Sequence, residues 1–148
     1  MNDALYSNAV LQLAADIPHI GALAEPEASV RKVSRLCGST IEIDLKLDGD
    51  VIGELALRVK ACALGQASAA VLSAHLRGAS LAEVEQARDG LRAMLKSSGP
   101  APEGRFGGLS ALEGARDYPA RHQSVMLAFE AAVEAVTTAT ETTTRLTG

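Results

Sequence analysis

The chain contains two cysteines, Cys37 and Cys62, whose sequence contexts are suited to metal or redox chemistry. Cys37 lies in the segment RLCGS, and Cys62 lies in VKACALG, where an alternating apolar pattern changes to a helical one. At the start of a helix the unpaired N–H groups and the helix dipole favour the thiolate, the form that binds metals. Two cysteines do not make the disulfide framework of a secreted domain. The simpler alternative for each is a small buried apolar residue.

A metal centre needs more donors than two thiols, because zinc and iron–sulfur clusters usually take four ligands. The chain has three histidines, His19, His75 and His122. His122 begins the last predicted helix and is the best candidate, whereas His75 falls inside a helix and is interpreted as structural or solvated. A different chemistry, a nucleophile and base pair of Cys62 and His122, lacks a visible oxyanion motif or orienting residue.

The composition argues against several classes of partner. The net charge is −4, aromatic residues make up 3% of the chain, and Lys and Arg form no block. We therefore expect the protein neither to stack on nucleic acid bases nor to bind a nucleic acid backbone. No apolar run approaches the ~18 residues that cross a bilayer, and the N-terminus lacks the signal-peptide pattern. We expect a soluble cytoplasmic protein of one domain.

Three strands are predicted from apolar residues that alternate with polar ones. The predicted strands are residues 29–36, 39–47 and 51–60, with a hairpin turn around Gly49. Short links favour an antiparallel meander. In a meander the first turn and the end of the third strand lie at the same end of the sheet. Cys37 and Cys62 are therefore expected to be neighbours.

Helices are predicted before and after the strands, from apolar residues at helical spacing. The first spans residues 3–15 with Asp3 as cap, and another begins after Cys62 and ends near Gly78. The remaining assignments are a helix that starts at the Ser80–Glu83 capping box, a loop at 97–108, a short helical turn at 109–118 and a last helix over 119–138. The fold class is thus α+β, with four to five helices mainly on one face of a three-stranded antiparallel sheet. Residues 1–138 form the predicted domain and 139–148 a Thr-rich flexible tail.

Three segments together resemble the IscU/SufU family of iron–sulfur cluster scaffolds, also called the NifU N-terminal domain family. These are RLCGS, VKACALGQASAAVLSAHLRGASLAE and ALEGARDYPARHQSVMLAFEAA, in the family's order and spacing. The resemblance runs from about Leu5 to Val136, and ALEGARDYPAR is closer to the SufU branch. It implies a SufE/NifU-like fold that binds a transient iron–sulfur cluster or Zn²⁺.

The resemblance also implies the ligands. In that family three cysteines and an aspartate bind the nascent cluster or zinc, and the third cysteine is the usual persulfide acceptor. Cys37 and Cys62 match the first two cysteines. Ser39 stands at the aspartate position, Ser124 at the third-cysteine position, and Gln123 at the histidine that precedes it in IscU-type members. A serine hydroxyl stays protonated at neutral pH and is a poor ligand, so this chain is a variant without two of the family's ligands.

The resemblance predicts a protein that is not an enzyme, docks a cysteine desulfurase and serves apo iron–sulfur recipient proteins. Two alternatives are a zinc-dependent sulfur acceptor and a degenerate member that acts as a partner or regulatory protein without a cluster. Cys37 and Cys62 are the predicted cluster and metal ligands, with His122 and Ser124 as further candidates. Asp44, Glu42 or an external thiol could complete the site. A homodimer would supply four thiolates to one cluster.

Overall fold

A computed structural model describes residues 7–36 and 38–147 of the chain, with side chains described as far as residue 142. No helix in the described residues is long and apolar enough to cross a membrane. In chain order the elements are α1 (Asn8–Ala15), β1 (Ala28–Val33), β2 (Thr40–Asp48), β3 (Val51–Lys60), α2 (Ala63–His75), α3 (Leu81–Lys96), a 3₁₀ segment (Gly104–Asp117) and α4 (Pro119–Thr147).

The three strands form an antiparallel sheet in the order β1-β2-β3, as predicted. Ile43 at its centre pairs with Val30 on one side and Leu57 on the other. The β2–β3 hairpin turns at Gly49, whose φ of 64° lies in the left-handed region that glycine tolerates. Because side chains alternate along a strand, one face of the sheet is apolar and the other carries charged residues.

The apolar face of the sheet is covered by helices. The long helix α4 packs on β1 and β2, and α2 packs on β3 and on α1. Ile41, Ile43 and Leu45 of β2 are buried beneath α4. Phe106 and Phe129 meet edge to face with ring centroids 5.5 Å apart, which ties the 3₁₀ segment to α4. The predicted α+β architecture is confirmed.

The first helix starts later than predicted. It begins at Asn8, and the side chain of Ser7 accepts a hydrogen bond from the N–H of Val10 at 3.3 Å. Ser7 has the extended backbone and the hydroxyl that a helix cap needs. The predicted cap Asp3 lies outside the described residues.

The last helix crosses the predicted boundary at residue 138 and continues to Thr147. The Thr-rich segment from residue 137 onward is predicted to be frayed, because the last residues of a domain are often poorly ordered. Instead the hydroxyls of Thr137 and Thr140 donate to the carbonyls of Val133 and Val136 within the helix, at 2.8 Å each. Ala139 between them is fully buried. The predicted end near 138 was therefore wrong, while flexibility of residues 139–148 stays a prediction.

Residues 97–103 form a loop as predicted, whereas residues 104–108 of the predicted loop join the predicted short turn in one 3₁₀ segment, Gly104–Asp117, with a kink at Phe106. Its buried residues, Phe106, Leu109, Leu112 and Ala115, recur every third position. That spacing matches the three residues per turn of a 3₁₀ helix, so one face of the segment enters the core. The glycine and proline content of the region hid this periodicity.

Replacing Ser80 by alanine is expected to lower the free energy of unfolding by about 1 kcal/mol. The Ser80 hydroxyl accepts from the N–H of Glu83 at 3.2 Å, and the Glu83 carboxylate accepts from the N–H of Ser80 at 3.2 Å. The substitution removes the first of these bonds from the predicted capping box at the start of α3. Urea denaturation measures the loss, with Ser110→Ala at an exposed position as the matched control. Equal unfolding free energies for the two variants would contradict this role.

Candidate functional site

Cys62 lies at the junction of β3 and α2, where it is the N-cap residue of α2. Its backbone is extended, and its carbonyl accepts from the N–H of Gln66 at 2.9 Å to begin the helix. The thiol is not in a disulfide and is partly exposed. The predicted position of this sulfur at the start of a helix is confirmed.

Two serines connect Cys62 to the other end of the candidate site. Ser124 Oγ lies 3.2 Å from Cys62 Sγ and 3.4 Å from Ser39 Oγ, and either atom of each pair is able to donate. Both serines are buried. Ser39, Ser124 and Cys62, here called the hydroxyl–thiol chain, stand at three positions for which the sequence resemblance implies ligands. The fold therefore brings these three positions together.

The hydroxyl–thiol chain depends on a close approach between α2 and α4. A Cβ at Gly65 would lie 2.7 Å from Ser124 Oγ and 2.9 Å from the Cβ of Ala61. Only a residue without a side chain allows α4 to place Ser124 beside Cys62. Gly65 thus belongs to the machinery that positions the site, although nothing in a single sequence distinguishes it from other helical glycines.

Replacing Gly65 by alanine is expected to cost about 1–2 kcal/mol of stability, the lower part of the range for overpacking. The Ser124 hydroxyl can rotate away, but the Ala61 Cβ and the Ser124 carbonyl, 3.3 Å from the new Cβ, cannot, so the start of α2 must shift relative to the end of β3 and to α4. Urea denaturation measures the loss. Gly107→Ala is the control, because a Cβ there would meet its nearest atom only at 3.9 Å. If Gly65→Ala were no less stable than this control, the helices would not be in close contact here.

Cys37 itself lies outside the described residues, but its surroundings in the β1–β2 turn, residues 34–39, are described. The N–H of Ser34 donates to the carbonyl of Ser39 at 2.7 Å, and the N–H of Gly38 donates to the carbonyl of Ser34 at 2.8 Å. Through Ser39 the turn reaches Ser124 and hence Cys62. The turn and the end of β3 therefore share one end of the sheet, whereas contact between the two thiols stays a prediction.

Gln123 attaches the same turn to α4. Its Oε1 accepts hydrogen bonds from the Ser34 hydroxyl at 2.8 Å and from the N–H of Leu36 at 3.3 Å. Sequence reasoning placed Gln123 at the family's histidine position but missed this contact. No periodicity or motif links a glutamine with residues almost ninety positions earlier.

His122 is buried and turned toward the 3₁₀ segment. Its Nε2 lies 3.0 Å from the carbonyl oxygen of Ala115 and 3.2 Å from that of Arg116. Both partners accept, so the tautomer that fits carries its hydrogen on Nε2. These two carbonyls occupy that nitrogen, and His122 as a ligand stays a prediction. His19 and His75 are exposed.

Asp44 and Glu42 lie on the charged face of the sheet and are held by arginine. Asp44 is 3% exposed and accepts from Ser29 Oγ, from the N–H of Leu23 and from both terminal nitrogens of Arg58. Burial alone would raise the pKa of Asp44, but these hydrogen bonds, led by that of Arg58, outweigh it and hold the pKa below 3.8. Glu42 pairs with Arg58 at 3.3 Å. Both carboxylates thus have structural partners and are poor choices to complete a metal site.

The donors of one chain fall short of a complete zinc shell. Among the described residues, no group of three or more His, Cys, Asp or Glu could hold a metal ion. The hydroxyl–thiol chain offers one thiol and two hydroxyls, and Cys37 would add a second thiol. Since structural zinc sites take four ligands, this donor set does not fit a resident zinc within a single chain.

The three-stranded sheet, its helices and this site together define a member of the NifU-like scaffold class. The family model of the NifU-like N terminal domain matches residues 5–139, and the chain belongs to that family. Proteins of the NifU-like and SufU type act as scaffolds for iron–sulfur cluster assembly, as the resemblance implied.

Individual relatives agree with this assignment. The chain is 44% identical to the solved N-terminal part of a nitrogen-fixing NifU-like protein from Brucella abortus, with a TM-score of 0.92 over 94% of this chain and 96% of that one. A candidate iron–sulfur cluster assembly scaffold protein for the SUF system from Fervidobacterium islandicum AW-1 has a TM-score of 0.83 over 92% of this chain and 99% of that one. Its identity of 18% supports the fold alone.

A third relative is the zinc-dependent sulfurtransferase SufU of Bacillus subtilis strain 168, 24% identical over 95 residues. The match spans 64% of this chain and 65% of SufU, somewhat less than two thirds of each.

Proposed function

We propose that this protein is a scaffold for iron–sulfur cluster assembly, not an enzyme, that holds a labile cluster or its iron through Cys37 and Cys62. The observation that carries the proposal is the hydroxyl–thiol chain. Buried hydrogen bonds join Ser39, Ser124 and Cys62, three positions at which the family has ligands, beside the start of α2. Family membership supplies the reaction class, and the cluster is cargo rather than a resident group.

The donor count favours a cluster shared between two copies. A [2Fe–2S] cluster takes four protein ligands, and one chain offers two thiols. Two copies in a homodimer would supply four thiolates. Ser124 would then keep a supporting role, because a hydroxyl that donates to a thiolate sulfur stabilises its charge and tunes the cluster. Two thiols per chain also suit a site that must release its cargo.

The partners follow from this role. Sulfur would come from a cysteine desulfurase, and the finished cluster would pass to apo iron–sulfur proteins in the cytoplasm. Leu36, next to Cys37 in the sequence, is 71% exposed, and Val33 at the end of β1 is also exposed. Large exposed apolar side chains beside a site suit contact with another protein. These two residues would form part of the docking surface.

The zinc-dependent sulfur acceptor is the second candidate, favoured by the relationship to SufU. The donor set argues against it, because Ser124 occupies the position of the third thiol and cannot carry a persulfide sulfur. A degenerate member that uses only its partner surface is the third candidate. It differs from both because it requires neither cysteine.

Anaerobic reconstitution with ferrous iron and sulfide tests the proposal. The wild-type protein is expected to retain iron and sulfide in near-equal amounts and to show a sulfur-to-iron charge-transfer band. Cys37→Ser and Cys62→Ser should each lose both signals, and Ser110→Ala should keep them. Serine at position 62 keeps a helix cap, so the fold should survive. Retention of zinc but not iron would favour the sulfur acceptor, and retention of neither metal would favour the degenerate member.

A further inference from the structure

Gln123 holds the β1–β2 turn through a single atom. Its Oε1 accepts from the Ser34 side chain and from the Leu36 main chain, so it contacts the turn just before Cys37. The adjacent residue, Ser124, contacts the turn just after Cys37 through Ser39. Two consecutive residues at the start of α4 therefore form hydrogen bonds with the two sides of the turn.

The described contacts of the turn fall into two groups, those within the hairpin and those with the start of α4. The backbone hydrogen bonds between Ser34, Gly38 and Ser39 close the turn on itself but do not link it to a helix. Leu36 is largely exposed and contributes little burial. Gly38 has a φ of 72°, which glycine adopts readily and residues with a side chain rarely do. The hydrogen bonds of Gln123 and Ser124 are the described polar contacts that join this turn to α4.

We infer that Gln123 is a positioning residue, which fixes the turn that carries Cys37 relative to Cys62. The inference rests on the proposed function, because two thiols must be held at a fixed separation before they can share a metal. Two donors already occupy Oε1, so Gln123 acts through hydrogen bonds and not as a ligand. It stands where the resemblance implies a histidine, and its role in this chain is therefore different.

Two substitutions at this exposed position separate the hydrogen bonds from the size of the side chain. Gln123→Met keeps the length but removes the acceptor, whereas Gln123→Glu keeps an acceptor oxygen at the same place. The first readout is hydrogen exchange at the Leu36 amide, which donates to Gln123. The second is the affinity for Co²⁺ alone, titrated anaerobically through its thiolate charge-transfer band.

We expect Gln123→Met to lose protection at Leu36 and to bind Co²⁺ about 10-fold more weakly, the size of effect seen for groups that orient ligands. Gln123→Glu should restore both. Wild-type affinity in Gln123→Met, with or without the loss of protection, would overturn the inference. Equal weakening by Met and Glu would also overturn it. If the wild type bound no Co²⁺, the proposed function would fail, and exchange at Leu36 would still decide whether Gln123 holds the turn.

Discussion

Replacing Ser124 by cysteine is expected to raise the affinity of the protein for Zn²⁺ or Co²⁺ by at least about 10-fold. Ser124 Oγ lies 3.2 Å from Cys62 Sγ, so a thiol at this position would lie beside the existing sulfur, and a small adjustment of the two side chains would let both bind one metal. Substituting groups that only orient ligands already changes affinity by about 10–100-fold. A new thiolate ligand should do at least as much. Competition with a chromophoric chelator measures the gain.

The gain must depend on both sulfurs. In the double variant Ser124→Cys, Cys62→Ser the affinity should fall back to that of the wild type or below. Ser124→Ala is the matched control, since it removes the hydroxyl without adding a donor. If Ser124→Cys and Ser124→Ala bound the metal equally tightly, position 124 would not face the metal. The metal site would then have to be centred on Cys37 instead.

Replacing Arg58 by methionine is expected to lower the free energy of unfolding by about 3 kcal/mol. Removal of one partner from a buried ion pair typically costs about 3–5 kcal/mol, because the other charge is left buried. Asp44 is 3% exposed, while the Arg58 side chain is 37% exposed, so solvent screening favours the lower end of that range. Chemical denaturation at pH 7 measures the loss.

The control for Arg58 is Arg31→Met, which removes only a 3.9 Å pair with Glu42 between exposed side chains. Arg31→Met should cost well under about 1 kcal/mol. Similar losses for the two variants would show that the cluster around Asp44 does not behave as a buried charge network.

The same network predicts the direction of the pH dependence. Since the folded-state pKa of Asp44 lies below 3.8, its contribution to stability is present above that pH and is lost as the pH falls through the folded value. In Arg58→Met the hydrogen bonds that most lower the pKa of Asp44 are gone, and burial of the Asp44 carboxyl raises its pKa. The part of the acid loss of stability that comes from Asp44 should then shrink or reverse, so the difference in stability between the wild type and Arg58→Met should narrow as the pH falls. Melting temperatures of both proteins measured from pH 3 to pH 7 report this narrowing.

The sheet could be predicted from the sequence because its signals are local. Ile41, Ile43 and Leu45 alternate with polar residues, and Gly49 marks the hairpin, so each of the three strands lies within a few residues of its prediction. The Ser80–Glu83 capping box was equally local. These elements need no knowledge of the tertiary fold.

The errors concern two segments in which threonine, glycine or proline pointed to a different local structure. Thr137 and Thr140 read as helix-ending residues, yet their hydroxyls bond inside α4 and Ala139 between them is buried. The 3₁₀ segment had a three-residue period from Phe106 to Ala115. Glycine and proline nearby outweighed that period in the prediction, although it was visible in the sequence.

The candidate site divides in the same way. The place of Cys62 followed from a local change of period, and the assignment of Ser39 and Ser124 to ligand positions of the family followed from the resemblance. The support from Gly65 and Gln123 could not be predicted, because it depends on how closely α2 approaches α4 and on contacts across most of the chain. Such contacts produce no periodic pattern in a single sequence.

Native mass spectrometry of the anaerobically reconstituted wild-type protein would show whether two chains share one cluster. We expect a dimer that carries one [2Fe–2S] cluster and an iron-free monomer, with the dimer signal absent from Cys62→Ser. A monomer that held a cluster without added thiol would contradict the sharing of ligands between two chains. Complete absence of iron from every species would contradict the scaffold function itself.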